Sequence, residues 1–226
     1  MILKRLFDIC AALFGLIVLS PFLLLVALWV KLDSKGPVFY RPERGGRNGK
    51  PFRIFKFRSM IIDADKIGPG STANDDRRIT RSGRFIRACK FDEISQLINV
   101  LFGDMSLVGP RPDLLSEVAK YEGEEKRILD LRPGITDWAS IWNADEGGVL
   151  DGAKDADAVY QIVLRPTKVR LQLYYRDNRT FFFDLKIIFS TIYRIVNKRF
   201  LPKELKDYPD FETLRAEALR LIEEGM

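Results

Sequence analysis

The sequence predicts an α+β protein: a mainly helical cytoplasmic domain with a small sheet, carried on an apolar N-terminal membrane helix. Three observations carry this expectation. Residues 9–30 are almost wholly apolar; residues 52–60, PFRIFKFRSM with its leading proline, alternate between apolar and basic side chains as a strand does; and residues 94–101 and 181–200 repeat their apolar positions at helical spacing.

The apolar run comes first. At about 1.5 Å per residue, its 22 residues just cross a hydrocarbon core of roughly 30 Å. It is too long for a signal peptide and no small-residue cleavage site follows, so the anchor is expected to be retained. Lys4 and Arg5 precede it and Lys31 follows, which places the rest of the chain in the cytoplasm. Ser20-Pro21 stands mid-run, where proline deletes a backbone hydrogen bond and bends a helix. A helix that enters, bends and leaves by the same face satisfies these residues, and so does a kinked spanning helix; the residues alone leave both open.

A turn cluster, residues 33–37, and a short extended piece, residues 38–40, follow. Residues 45–51, GGRNGKP, lack the spacing and the Ser or Thr of a phosphate-binding P-loop and read as a hairpin turn into the strand 52–60. Asp63-Ala64-Asp65 and Asp155-Ala156-Asp157 match a three-residue metal-holding pattern too short to be specific, and read as surface acids of a helix start and of a polar loop. Arg77, Arg81, Arg84 and Arg87 gather on one side of a helix, with Phe85 and Ile86 able to face inward, as a cationic ridge suited to phosphate oxygens. Next, Asp92 and Glu93 open a helix with apolar positions 94, 97, 98 and 101. Residues 181–200 form an amphipathic stripe, apolar on one side with Asp184, Lys186, Arg194 and Lys198 on the other, that fits either a membrane surface or the domain's own core, and the charged tail 203–226 repeats at helical spacing.

Composition limits the chemistry. The 226 residues include no histidine, so imidazole acid-base catalysis and the common zinc sites are excluded, and the two cysteines, Cys10 and Cys89, have no CxxC partner. A reducing, cytoplasmic setting fits. The formal charge of +6 points to anionic partners: phosphates, acidic headgroups or nucleic acid. Length allows one compact domain beyond the anchor.

Acids at a helix start are commonly caps. Here, however, the positive helix end with Arg87 and Lys90 favours an ionised Asp92, as a nucleophile requires. Glu93, about 100° further round the helix, is placed to hold a divalent cation. In Gly109-Pro110-Arg111-Pro112 two prolines stiffen the mount of Arg111, which reads as a phosphate-binding guanidinium.

Ser20-Pro21, the run FKFRSM at residues 55–60, residues 81–87, Asp92-Glu93, residues 103–112 and RPGIT at residues 132–136 occur in an order that resembles the bacterial sugar transferase family, the monotopic phosphoglycosyl transferases. The likeness covers about residues 2–200, at the length of the small members. It implies transfer of a sugar 1-phosphate from a UDP-sugar to undecaprenyl (polyprenyl) phosphate with release of UMP, the first membrane step of a bacterial glycoconjugate pathway. It implies Asp92 as the nucleophile of a covalent phosphosugar intermediate, Glu93 as the Mg2+ ligand, and Arg87 and Arg111 as phosphate binders. It also implies a re-entrant anchor broken at Ser20-Pro21, interfacial helices, and a monotopic enzyme on the cytoplasmic face of the inner membrane, in contact with membrane lipids and no nucleic acid. The expected organisation is an anchor at 1–32, a catalytic domain at 33–202 and a helical tail at 203–226.

Departures from the family pattern are Gln172, where an Asp commonly precedes Tyr174-Tyr175; Asp137, where a glycine is usual; and an insert-like stretch, residues 143–166, which is the expected seat of sugar selectivity. Two rival readings use the same residues. A non-catalytic, membrane-anchored binder of anionic lipid or nucleic acid has no need of Asp92, and a transferase that moves only the sugar releases UDP.

Overall fold

The computed structural model describes residues 2–67, 76–89, 91–143, 145–198 and 200–225. Lys90 and the side chain of Asp65, both singled out above, lie outside the described residues. The chain is mostly helical with small two-stranded sheets. It divides into two compact units, residues 1–107 with 112–120 and residues 108–111 with 121–226.

The first unit opens with α1 (Ile2–Asp33), a single helix of 32 residues, long and apolar enough to cross a membrane. The expected break at Ser20-Pro21 does not interrupt it. Pro21 has no N–H to offer the carbonyl of Ile17, four residues back, and the Ser20 hydroxyl donates to that carbonyl instead at 2.8 Å. One face of α1 is buried at Asp8, Ala12, Val26 and Val30, whereas Leu13, Phe14, Ile17, Leu24, Leu25 and Leu28 are exposed.

Both ends of α1 are fixed within this unit. Near the start, Arg5 donates to the carbonyls of Val100 at 2.7 Å and Leu101 at 3.0 Å, and Asp8 accepts from the Ser106 hydroxyl at 2.8 Å and the Leu107 amide at 3.2 Å. Near the end, Val26 and Val30 pack with Phe57 and Ile86, and full burial of such a side chain contributes about 1.5–3 kcal/mol. The buried Arg58 donates to the Val30 carbonyl at 3.2 Å, in the last turn of the helix, and to the carbonyls of Ser34 and Lys35 just beyond it, each at 2.7 Å.

Four short strands follow: β1 (Phe39–Tyr40), β2 (Glu43–Gly45), β3 (Pro51–Arg53) and β4 (Lys56–Phe57). β2 and β3 form the expected hairpin, with Glu43 opposite Arg53, and β1 pairs antiparallel with β4. The single strand read over residues 52–60 is thus two, parted at Ile54 and Phe55: the Ile54 amide donates to the Pro42 carbonyl, and the side chains of Asn99 and Ser95 take the Phe55 amide and carbonyl.

Beyond the short α2 (Ala64–Ile67), α3 (Arg81–Ala88) starts on a Thr80 cap. The Ser82 amide and hydroxyl both donate to Asp33 at 2.9 Å, so the end of α1 also fixes the start of α3. A Cβ on Gly83 would lie 1.9 Å from the Ser59 carbonyl oxygen, an approach only glycine permits. Arg81 and Arg84 are exposed, Ile86 is buried as expected, and Phe85 is partly exposed against Trp29.

A 3-10 turn, Phe91–Gln96, leads into α4 (Leu97–Phe102). Here the expected faces exchange roles. Ile94, Leu97, Ile98 and Leu101 are only half-buried, while Asp92, Ser95, Gln96 and Asn99 are buried. The apolar side includes Leu97, which meets α1 at Gly15, and the polar side holds the strand segment 53–57. β5 (Ser106–Val108) and α5 (Leu115–Val118) complete the elements of this part of the chain, with the division falling inside β5.

The second unit contains β6 (Gly134–Thr136), α6 (Trp138–Trp142), α7 (Glu146–Leu150), α8 (Ala156–Val159), α9 (Arg165–Asn178), α10 (Phe181–Val196) and α11 (Phe211–Glu223). A π-helical turn, Tyr160–Leu164, joins α8 to α9. Trp138, Leu164, Leu171, Tyr175 and Ile187 fill its core.

Asp155 belongs to no metal cluster among the described residues; it caps α8, accepting from the Ala158 amide at 2.9 Å. Asp184, read as part of the solvated face of 181–200, is instead interior and accepts from the Tyr175 hydroxyl at 2.6 Å. The apolar stripe of α10 is the exposed side, with Phe182, Phe189, Ile192 and Ile195 uncovered. The tail packs inside this unit: Leu214 and Ala218 are buried, and Arg215 donates to the Asp151 carbonyl at 2.7 Å beside α7. The stretch 143–166 is therefore largely helical and braced by the tail.

Candidate active site

Asp92 is buried, 7% exposed, at the start of the 3-10 turn. A carboxylate removed from water needs a cationic or hydrogen-bonding partner, and Lys56 supplies it, its Nζ 2.7 Å from Asp92 Oδ2. Lys56 is held there by its neighbours. Phe55 N donates to Asn99 Oδ1 at 2.7 Å, and Asn99 Nδ2 donates to the Arg53 carbonyl at 2.9 Å. The Ser95 hydroxyl contacts the carbonyls of Phe55 at 2.9 Å and of Asp92 at 3.0 Å. One hydroxyl and one amide thereby staple the residue before Lys56 to the turn that carries Asp92.

Glu93 is adjacent and half-buried. Among the described residues no group of three or more acidic or cysteine ligands surrounds a common point, so Asp92 and Glu93 offer a cation two carboxylates at most. Arg87 lies half-buried in the last turn of α3; its guanidinium makes no hydrogen bond to another described residue, and its charge acts on Asp76. Arg78, buried though it lies within the arginine ridge, forks onto Asp76 with contacts of 2.6–3.0 Å.

Arg78's side-chain and backbone donors, with smaller help from Arg87, hold the Asp76 carboxyl at about 2. A depressed carboxylate contributes its stability above the ordinary value and loses it as pH falls through the depressed one. The Asp76–Arg78 fork is therefore expected to stay closed down to about pH 4 and to open towards about pH 2. A 13C titration of the Asp76 carboxyl checks this, and a midpoint near 4 would show that the fork is open in solution.

Arg111 lies in the second unit, exposed, on a mount built there. Its amide donates to Asp137 Oδ2 at 3.3 Å, and Asp137 Oδ1 caps α6 by accepting from the Ser140 amide at 2.7 Å. A Cβ on Gly134 would come within 2.1 Å of the Gly109 nitrogen, so this glycine is required for the close approach behind Arg111. The departure at Asp137 is thus a buried acid that ties the Pro-Arg-Pro backbone to α6. Gln172 is also buried, and its amide has no hydrogen-bond partner among the described residues.

Sequence reasoning singled out Asp92, Glu93, Arg87 and Arg111 for function; it did not single out Lys56, Ser95, Asn99 or Asp137 for it. For Ser95 and Asn99 the available signal was the recurrence of polar residues at 92, 95, 96 and 99.

Residues 1–198 match the family model described as bacterial sugar transferase. The chain belongs to that family and is a transferase. It is 39% identical over 196 residues to the sugar transferase EpsL of Bacillus subtilis (strain 168), covering 87% of this chain and 88% of that one. It is 40% identical over 203 residues to the UDP-glucose:undecaprenyl-phosphate glucose-1-phosphate transferase of Escherichia coli (strain K12), covering 87% and 41%. A third relative, the UDP-N-acetylgalactosamine-undecaprenyl-phosphate N-acetylgalactosaminephosphotransferase of Aeromonas hydrophila, is 36% identical over 199 residues, covering 86% and 44%.

Proposed function

We propose that this protein transfers a sugar 1-phosphate from a UDP-sugar to undecaprenyl phosphate, as the first membrane step of a bacterial glycoconjugate pathway. The relatives' names supply the substrate class. The observation that carries the reading is the buried Asp92 carboxylate with a lysine 2.7 Å away, in a unit whose anchor helix exposes an apolar face.

A carboxylate oxygen of Asp92 attacks the phosphorus that bears the sugar, and the bridging P–O bond breaks with its electron pair leaving on UMP. A phosphate oxygen of the lipid then attacks the same phosphorus and the Asp92 carboxylate departs, yielding the polyprenyl diphosphate sugar. No proton must move to a base, which suits a chain without histidine. Arg87 and Arg111 bind substrate phosphates. Glu93 would hold Mg2+, an ion that takes most of its ligands from phosphate and water and needs only one or two carboxylates. When bound, the ion supplies charge neutralisation at the diphosphate.

The anchor is read as re-entrant. A helix crossing the bilayer carries one end to the far side, whereas Arg5 and Asp8 at one end of α1 and Val30 at the other all pack on the same unit. The exposed stripe of α10 is read as an interfacial face. We read the enzyme as lying on the cytoplasmic face of the inner membrane, where Lys4, Arg5 and Lys31 flank the apolar run, with the anchor at 1–32, the catalytic domain at 33–202 and the tail at 203–226.

Purified protein incubated with Mg2+, undecaprenyl phosphate and a panel of UDP-sugars is expected to release UMP in step with lipid-linked product. UDP as the by-product would point to simple sugar transfer, and no nucleotide across the panel would favour a binding protein.

A further inference from the structure

We propose that Lys56 is a catalytic residue that stays with the negative charge as it moves between Asp92 and the transferred phosphate; this rests on the transfer reading above. Lys56 Nζ touches Asp92 Oδ2, and among the described residues no other side chain bonds that carboxylate. Oδ1 is therefore the oxygen left to attack phosphorus. When the Oδ1–P bond forms and the bond to the UMP oxygen breaks, the carboxylate becomes the acyl half of a mixed anhydride and loses its charge. The nearest anions to the ammonium are then the non-bridging oxygens of the phosphate just acquired, on the phosphorus that Oδ1 now carries beside its first partner Oδ2. In the second step the lipid phosphate oxygen bonds to phosphorus, the Oδ1–P bond breaks, and the electron pair returns to a carboxylate that meets the same ammonium. Lys56 thus assists the departure of Asp92 as well as its attack.

The local build fits this role better than that of a structural tie. Lys56 is 31% exposed at its side chain and Asp92 10%, so the pair opens to one side while its other side is interior. A wholly exposed pair contributes little to stability, yet Phe55, the residue before Lys56, is fixed at both its amide and its carbonyl. Backbone fixed on one side of a flexible side chain leaves the ammonium free to move the short distance from carboxylate to phosphate while holding its base in register.

The test uses the full-length enzyme with undecaprenyl phosphate, UDP-sugar and Mg2+, and reads kcat, KM and UMP release with and without lipid acceptor. Lys56→Met and Lys56→Gln are each expected to lower kcat about a hundredfold or more, the cost of removing one donor to developing charge. KM for the UDP-sugar should change by less than about threefold, since the loss falls on the transition state. Lys56→Arg, which keeps the charge, is expected to recover most of the rate, and thermal melts within a few degrees of wild type would show the fold intact. Wild-type kcat in either neutral variant, or a loss confined to KM, would overturn the role of Lys56 while leaving the transfer reading standing. Absence of UMP from the wild-type enzyme would remove both.

Discussion

Asp92→Asn is expected to reduce UMP release and lipid-linked product to background, at least about a thousandfold below wild type. Asparagine keeps the size and most of the shape of a side chain that is nearly buried, so packing against Ser95 and the strand segment 53–57 is retained. What disappears is the anionic oxygen that would bond to phosphorus. An amide is a far poorer nucleophile and gives Lys56 no charge partner. Membrane association, which the exposed face of α1 supports independently, should be unchanged, and vesicle flotation beside the nucleotide assay separates the two. Turnover that survives in this variant would exclude the covalent route.

Asn99→Ala is expected to be the most destabilising single change near the site, by about 2–4 kcal/mol in denaturant unfolding. Asn99 is fully buried, and its one amide serves Phe55 N and the Arg53 carbonyl, with a longer contact of 3.3 Å to Asp104. Alanine leaves a buried donor and acceptor without partners and a cavity besides. Because Phe55 immediately precedes Lys56, activity should fall with stability, and more steeply than in a destabilised variant remote from this segment. A midpoint within 0.5 kcal/mol of wild type, read as about that much unfolding free energy, would mean that the two backbone groups find water or another partner.

These two positions also show what local patterns convey. Asp92 was legible because paired acids at a helix start, set among arginines, form a contiguous string, and the anchor and the hairpin declare themselves through runs and turn residues in the same way. Asn99 was not legible, since it reads as one polar residue within LINVLF and its partners lie more than forty positions back. Reading 94, 97, 98 and 101 as the buried face of α4 followed from hydrophobicity alone. The turn and helix there have two covered sides, and the more deeply covered one is polar because it closes an interrupted strand. Asp184 was misplaced for the same reason: a charged residue is assigned to solvent unless its partner is known, and Tyr175 becomes its neighbour only in the folded chain. Asp137 stood out only as a departure, because the Arg111 amide it accepts from is 26 positions away.

The grip of the first unit on both ends of α1 has a practical meaning for anyone handling the enzyme. Val26 and Val30 share one apolar cluster with Phe57 and Ile86, and Asp33 starts the helix that carries Arg87. Helix α1 is accordingly a wall of the first unit and not a mooring line. Trimming it to gain solubility, or exchanging it for an unrelated hydrophobic helix, would strip the interior of one side and leave α3 without a foundation.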